Sequence, residues 1–540
     1  MPSLVSDNFR MFAAEQFMES LEEPYSSVNT PVTDETSAVA QAYRSKIYLF
    51  IGRSYDWNDE SAISTTDDSV VEKYDGDSTT SPFSDIFVPE PVDSIDEFNE
   101  IYDDMISLKR VTRSDVSPVI RKRTWTSNIT YDMYKHDYSP IKLSATGQSK
   151  LYDSQFYIIN KNFEVYKCLY NGQVPESPYT NGKPSTIEPI GTGDSGTNIV
   201  STSDGYKWKY MYTLSISDYI KFVSTDFIPV KIDSTVKANA VDGSINQVLI
   251  VNRGSGLAYG NGQTYYTPVI GNGTTKCIVA ITVTQGNVLS TAEIAQIGAG
   301  YTFGTINLSK CYNSIADAIS ETGTSTNLNV GGAKLEVIIS PPGGHGFNAF
   351  YELGAYRIMI NKSLSFLDGL GDIPVDMEFR RFGLISDPQT NSNTDLFTDS
   401  ASVCKTIKFN VDQNSPVFEI GEIITQSTTN AKGRVIHYDS LNGVLKYYQN
   451  EYICAAQQAT GTTNRFIAFS GANAITGSRS GAVLTPQTTY NSTINGVTFT
   501  AGYANSEIKP YSGNILYVEN RKPIIRSNDQ IEDIKLVIEF

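Results

Sequence analysis

The chain has 540 residues, and its 42 Lys and Arg against 59 Asp and Glu leave a net charge of −17, so the overall basic footprint expected of a nucleic-acid binder is missing. That length exceeds one compact core and predicts roughly two to four domains, while no run of about 18 apolar residues offers a membrane-spanning helix. The bias is toward Tyr (33 residues), Gly, Ser, Thr and Asn, which suits many short strands joined by polar turns.

The opening MPSLVSDNFRMF lacks a basic stretch followed by a long apolar core and does not read as a secretory signal. Phe9, Phe12, Ala13, Phe17 and Leu21 recur at helical spacing, with Asp7 as cap and Pro24 as stop. The polar side carries Glu15, Glu19, Glu22 and Glu23, the wrong sign for a membrane-surface helix, so docking on the protein's own core or on a partner is expected. KIYLFIGR (Lys46–Arg53) reads as a buried strand. A second helix is predicted over Ser94–Leu108, where Ser94 and Glu97 have capping-box spacing and Ile95, Phe98, Tyr102 and Met105 form the apolar stripe. Its acids Asp96, Glu100, Asp103 and Asp104 read as a solvated face in preference to a metal site.

VIRKRTW (Val119–Trp125) gathers basic residues near Trp125, Tyr131 and Tyr134, the interleaving a single-strand binder uses. In so acidic a chain an internal salt-bridged segment or a protein contact is the better reading, and no nucleic-acid partner is expected. QFYIINKNFEVYKCLYNG (Gln155–Gly172) predicts two strands folded around Asn160–Asn162. GTGDSG (Gly191–Gly196) matches GxGxxG literally, but loop and strand follow it where a pyrophosphate site needs a helix N-terminus. Its GDSG also resembles the nucleophile loop of trypsin-like serine proteases, yet the only upstream histidine is His136, in YKHDYSP, without that family's surroundings. A flexible Gly/Ser loop is the reading adopted. In DGYKWKYMYTLSI (Asp204–Ile216), Asp204 and Gly205 supply a turn. Trp208, Tyr210, Tyr212, Leu214 and Ile216 then alternate with an outward face of Lys207, Lys209, Thr213 and Ser215.

After Val230 the texture changes. GSINQVLIVNRGSGLAYG (Gly243–Gly260) and VLSTAEIAQIGAGYTFGT (Val288–Thr305) each read as a strand, then Gly-x-Gly, then Tyr, a weak internal duplication. A second Thr/Gly/Ser-rich stretch hints at another repeat, with Ile424–Thr425 before Gly433–Val435 and Ile475–Thr476 before Gly481–Val483. YRIMINKSLSF (Tyr356–Phe366) between them is a plain strand.

Five cysteines (Cys168, Cys277, Cys311, Cys404, Cys454) show no CxxC spacing and read as free, mostly buried thiols of a protein made in a reducing cytosol. His136, His345 and His437 form neither HExxH nor HxH; PPGGHG (Pro341–Gly346) reads as a chain-breaking loop. Nothing selects one carboxylate pair for glycoside hydrolysis among 59 acids. No catalytic residue, cofactor or metal is expected.

Several segments, in order along the chain, resemble one family. IGRSYDW (Ile51–Trp57), VIRKRTW followed by YDMY (Tyr131–Tyr134), VYKCL (Val165–Leu169), DGYKWKYMYTL, FGLISDP (Phe382–Pro388) and the closing YVENRKPIIRSNDQIEDI are similar to segments of the baseplate wedge protein of T4-like contractile-tailed bacteriophages, the product of gene eight. The resemblance implies an all-β core with small helices at its edges and a homodimer within each wedge. It also implies contacts with neighbouring wedge proteins, no catalysis, and a place in the virion tail baseplate after assembly in the host cytoplasm. It marks Arg53, Trp57, Arg123, Trp125, Asp204, Gly205, Trp208, Glu519, Asn520, Arg521, Pro523 and Asp529 as structural or interface residues. Within the last segment, PIIRSNDQ is expected to turn between two strands because Pro523 cannot donate to a ladder, with Glu519, Arg521 and Asp529 pinning the turn. In the final strand Ile534, Leu536, Ile538 and Phe540 share one side.

The predicted fold is mainly β: a β-sandwich-type core with a few peripheral helices, plus two inserted β-rich modules that shorter family members lack. The expected division is 1–239 (first part of the core), 240–332 (Gly-rich insertion), 333–401 (core continuation), 402–506 (second insertion) and 507–540 (closing strands). Two other functions compete with a wedge subunit. A receptor-binding tail adhesin would touch host glycan through the insertions, stacking Tyr and Trp on sugar. A polysaccharide-degrading tail enzyme would show itself in an activity assay on host polysaccharide.

Overall fold

The computed structural model describes residues 5–21, 46–57, 85–257, 262–284, 286–365, 372–454, 466–494 and 496–540. The fold is mainly β, with antiparallel sheets and few, short helices. The chain forms two compact units: unit 1 comprises Met1–Gln16, Ser117–Met359 and Val537–Phe540, and unit 2 comprises Phe17–Val116 and Ile360–Leu536. The strands Arg357–Ser365 and Ile531–Glu539 carry the chain from one unit to the other.

The first helix is Asp7–Ser20. Its buried face is Met11, Ala14, Met18 and Leu21, whereas Phe9 and Phe12 are 62% and 51% exposed. The expected stripe was therefore displaced around the helix: the unbranched methionines fill the packed side, and Arg10 and Glu15 tie the flank down through Glu539 and Tyr351. Pro24, the expected stop, lies outside the described residues.

Unit 1 is built on a four-stranded sheet. Tyr157–Ile159 and Glu164–Asn171 form the predicted hairpin. Asn160 makes its turn, its Oδ1 accepting from the amides of Asn162 and Glu164, both at 2.9 Å. Tyr206–Thr213 pairs with Glu164–Asn171 on one side and Ile199–Ser201 on the other. The expected alternation fails here in an informative way. Trp208, Tyr210 and Tyr212 are buried, but so are Lys209 and Met211, because both faces of this strand are covered. The strand also stops at Thr213; Ser215 caps a helix, Ile216–Phe222, by accepting from the Asp218 amide, which leaves Ile216 75% exposed.

The Gly-rich block of unit 1 has its own core, including Ile245, Val248, Tyr265, Val279, Ile281, Leu289, Tyr301 and Val337. One sheet orders Leu289–Gln296, Ile278–Val283, Gln263–Gly271 and Gly304–Ile306, and a separate ladder pairs Ile245–Asn252 with Lys334–Ile339. Gly243 is required where the two similar stretches meet: it has φ +57°, and a Cβ there would lie 2.3 Å from the Tyr301 amide nitrogen. Tyr301 in turn accepts from the Cys277 amide at 3.0 Å. Tyr259, its counterpart in the first stretch, lies outside the described residues.

Unit 2 contains a five-stranded sheet in the order Ser400–Ser402, Met105–Arg110, Ile47–Gly52, Met377–Ser386, Asn514–Arg526. Ile47–Gly52 is central and buried throughout. A seven-stranded sheet holds the Thr/Gly-rich stretch around Ile407, Phe409, Ile424, Val435, Leu445 and Ile475. The faint repeat appears as two neighbouring hairpins whose equivalent residues Thr425 and Thr476 face each other in an antiparallel ladder.

Two further expectations are corrected in unit 2. The second helix ends at Asp104, and Met105 begins a strand; the buried helix positions include Glu97, Glu100, Ile101 and Asp104, while Ile95 is 79% exposed. Glu100 and Asp104, expected on a solvated face, are thus interior, while Asp103 is half-exposed. At the C-terminal end, strand Asn514–Arg526 runs straight through Pro523, which is tolerated because this strand is the sheet edge and its register slips between the partners of Phe379 and Arg381. The turn falls after Arg526, where the Gln530 amide donates to the Ser527 carbonyl at 3.4 Å. Arg526, fully buried and paired with Glu532, holds it; Glu519 and Arg521 pair with each other along the strand, and Asp529 is an exposed turn residue. In the last strand Ile534 and Leu536 are buried and Ile538 and Phe540 half-buried, as the alternation predicts.

Candidate functional site

Two assemblies of buried charge hold most of the residues marked from the sequence. The first lies in unit 2. Gly52 lets its strand approach the end of the second helix, since a Cβ there would sit 2.9 Å from the Asp104 carbonyl oxygen. Arg53 follows at φ +52° and turns its guanidinium inward. Arg53 donates to Glu100 at 3.3 Å and Tyr55 at 3.0 Å, and lies 3.6 Å from Asp104. Arg381, from the strand Met377–Ser386, donates to Glu97 at 3.1 Å, Glu100 at 3.4 Å and the Asn520 side chain at 2.9 Å. Its other terminal nitrogen is 3.7 Å from Asp104. Trp57 lies under Arg53 with the guanidinium 4.2 Å from the ring centre, and its indole N–H donates to the Arg521 carbonyl at 2.9 Å. Asn520 donates onward to the Pro89 carbonyl at 3.0 Å, and Asn450 donates to Asp104 at 3.1 Å.

All five charged side chains are essentially out of solvent. Arg434, also buried, borders the group with its guanidinium 4.6 Å from the Tyr55 ring centre. Burial pushes the Glu100 carboxyl up to about 6, with Arg381 opposing and Asp104 adding to the rise. Arg380, next in the chain but on the opposite face, makes a two-pronged pair with Asp85 at 2.7 and 2.8 Å and a further one with Glu378 at 2.8 Å. The sequence reading placed Arg53, Trp57, Asn520 and Arg521 on the list; it missed Arg380, Arg381, Glu97 and Arg526. The signal was present in EFRRFG: adjacent arginines in an apolar strand point to opposite faces, and here neither face is solvent.

The second assembly lies in unit 1. Asp204 fixes the turn before the Trp208 strand: its carboxylate accepts from the amides of Thr186 at 2.8 Å and Ile187 at 3.0 Å and from the Thr202 hydroxyl. Burial pushes the Asp204 carboxyl up, but these bonds together outweigh it and hold it below its usual range. Gly205 takes the φ +94° position of that turn. Trp208 is stacked on Tyr206 at 5.2 Å and meets the edge of Tyr131 at 5.6 Å. Arg123 lies 5.2 Å over the Tyr157 ring, and Trp125 donates to Ser185 at 3.2 Å, so both anchor the segment to this sheet.

Behind the sheet, Lys167 and Lys209 face each other across the ladder, and both are buried. Glu352 pairs with Lys167 and also accepts from the Gly346 amide at 2.7 Å. Lys209 donates to the Thr197 carbonyl at 2.7 Å. His345, from PPGGHG, packs its ring 5.0 Å from Tyr134. The loop GTGDSG is exposed and leads into the strand Ile199–Ser201, not into a helix. His136 accepts from the Ile339 amide at 3.4 Å, a structural contact. Among the described residues no group of three or more His, Cys, Asp or Glu could hold a metal ion, and no helix is long and apolar enough to cross a membrane. The five cysteines are free and buried, and burial raises every one of their thiols, that of Cys277 to about 11 and that of Cys404 to about 12.

A family model described as Phage-Gp8: Bacteriophage T4, Gp8 matches residues 157–262. No curated protein matches the chain. The matched span takes in the whole Trp208 sheet, with the V-Y-K-C-L and D-G-Y-K-W-K-Y strands and both buried lysines. Over this segment the chain is similar to the family of the bacteriophage T4 Gp8 protein.

Proposed function

We propose that the protein is a wedge subunit of a contractile-tail baseplate, which holds neighbouring wedge proteins in place and moves with them when the tail contracts. The family match over residues 157–262 carries this reading. The buried charge assembly of unit 2 supports it: Arg53 and Arg381 are held among Glu97, Glu100 and Asp104 out of solvent, an arrangement that serves rigidity. Apolar side chains left at the surface, such as Leu516 and Ile525 of the edge strand and Ile216 in unit 1, suit contacts with other chains. The 240–332 and 402–506 stretches are taken as insertions, and the marked residues as the internal framework that positions contact surfaces. The subunit is a homodimer assembled in the host cytoplasm.

Sedimentation of the purified chain tests the reading. A dimer with two-fold symmetry is expected. A trimer would favour a receptor-binding adhesin that contacts host glycan through the insertions. A monomer at every accessible concentration would remove the homodimer from the proposal.

A further inference from the structure

The two buried lysines of unit 1 leave a charge unanswered. Lys167 and Lys209 stand directly opposite each other in the ladder, a placement that costs stability for like charges. Glu352 is the carboxylate against them, and its pairing goes to Lys167. Lys209 is only 3% exposed, and its one hydrogen bond, to the Thr197 carbonyl, uses one of the three protons an ammonium offers.

A cavity of about 50 Å³ lies beside Lys209, lined also by Gly196, Thr197, Asn239, Ser244 and His345 among others. It is bounded by the two glycine-rich loops singled out in the sequence, GTGDSG and PPGGHG. His345 is 5% exposed and its Nδ1 has no hydrogen-bond partner. On the usual measure of roughly 10–15 Å³ per water, the space takes only a few non-hydrogen atoms. The unused groups are a cation's N–H bonds and an imidazole edge. The complementary occupant is small, negatively charged and rich in acceptor oxygens.

We propose that this cavity is a binding site for a small oxyanion, held by the Lys209 ammonium and the His345 imidazole and closed over by the two loops. The site goes beyond the baseplate reading and does not depend on it. Electrostatics agree with the geometry. Burial depresses the Lys209 ammonium to about 8, Glu352 opposing and Lys167 adding to the fall, so at pH 7 the lysine remains mostly charged. Burial likewise holds His345 well below its ordinary value, with Lys167 and Lys209 reinforcing it, so the ring is neutral and presents one N–H. An anion would offset both the burial and the lesser lysine repulsion that lower these two groups.

Calorimetric titration of the full chain with sodium sulfate and with sodium formate, at constant ionic strength set by chloride, tests this. At pH 7 one saturable site is expected; preference for sulfate would mark a tetrahedral oxyanion, and preference for formate a carboxylate. Affinity should fall at least about tenfold at pH 9.5, where neither anion changes charge but Lys209 loses its proton, and by a similar factor in Lys209→Met. Should that variant fail to fold, His345→Gln and the pH profile of the native chain carry the same comparison. Absence of saturable heat with both anions, or binding unchanged at pH 9.5 or in the folded variants, would overturn the proposal.

Discussion

Units 1 and 2 both bury charge against the face of a sheet, but they balance it differently. In unit 2 two arginines meet three carboxylates, with tyrosine, tryptophan and asparagine side chains around them. In unit 1 two lysines meet one carboxylate beside a cavity. A guanidinium offers five donors in a plane and can satisfy several carboxylates at once; an ammonium is a point charge that tolerates desolvation poorly and gives up its proton sooner. The first arrangement therefore rigidifies, while the second leaves a cation able to respond to pH or to an anion.

The sharpest way to break this contrast is Arg381→Met. It removes the guanidinium that bonds Glu97 and Glu100 and lies 3.7 Å from Asp104, in a site closed to water. Removing one partner of a buried ionic set costs about 3–5 kcal/mol. Urea denaturation should show the midpoint for unit 2 falling accordingly. A loss below about 1 kcal/mol, typical of exposed pairs, would mean that the arginine is not holding the assembly.

The next effect concerns Lys209. Its pKa is depressed to about 8 from an ordinary 10.5, so between those values the unfolded chain binds more protons than the folded one. Stability contributed by this group therefore rises with pH through that window, by at most about 3 kcal/mol, and the full penalty stands below pH 8. Other lysines and tyrosines titrate in the same range, so the informative quantity is the difference between the native chain and Lys209→Met in chloride buffer. That difference should shrink from pH 7.5 to pH 10. A constant difference would show that Lys209 is not penalised by burial.

Turn chemistry made much of the fold legible. Asn160–Asn162 and Asp204–Gly205 marked hairpin and turn because their side chains or φ angles permit few alternatives. The continuous apolar run KIYLFIGR was equally plain. The candidate site was legible in part: Arg53, Trp57 and Asn520 came from segment resemblance, but Glu97, Glu100, Asp104, Lys209 and Arg381 were misread or passed over. Periodicity equates charge with solvent. A stripe of acids on Ile95–Asp104 looks the same whether it faces water or two arginines far along the chain. The strand carrying Lys209 fails for the same reason, since what covers its lysine face, Gly346 and His345 of PPGGHG, arrives from residues more than a hundred positions later. Phe9 and Phe12 show the converse error, bulk apolar residues turned outward while methionines pack.

The smallest expected effect is also the finest test of charge balance. Glu100 has its carboxyl raised to about 6 from 4.5, so it stabilises the fold when protonated, and that contribution fades as pH rises through 6. Glu100→Gln keeps the shape and one acceptor oxygen for Arg53 and Arg381 and removes a carboxylate whose charge burial penalises. Relief of that burial penalty and loss of charge-assisted bonding oppose each other, each on the order of 1–2 kcal/mol, so the net change at pH 7.5 should lie within about 1 kcal/mol of zero. At pH 5, where Glu100 is already largely protonated, the charge advantage disappears and the variant should rank lower relative to the native chain than at pH 7.5. If Glu100→Gln instead matched Arg381→Met in cost at pH 7.5, the Glu100 carboxylate would be an obligatory partner of the two arginines.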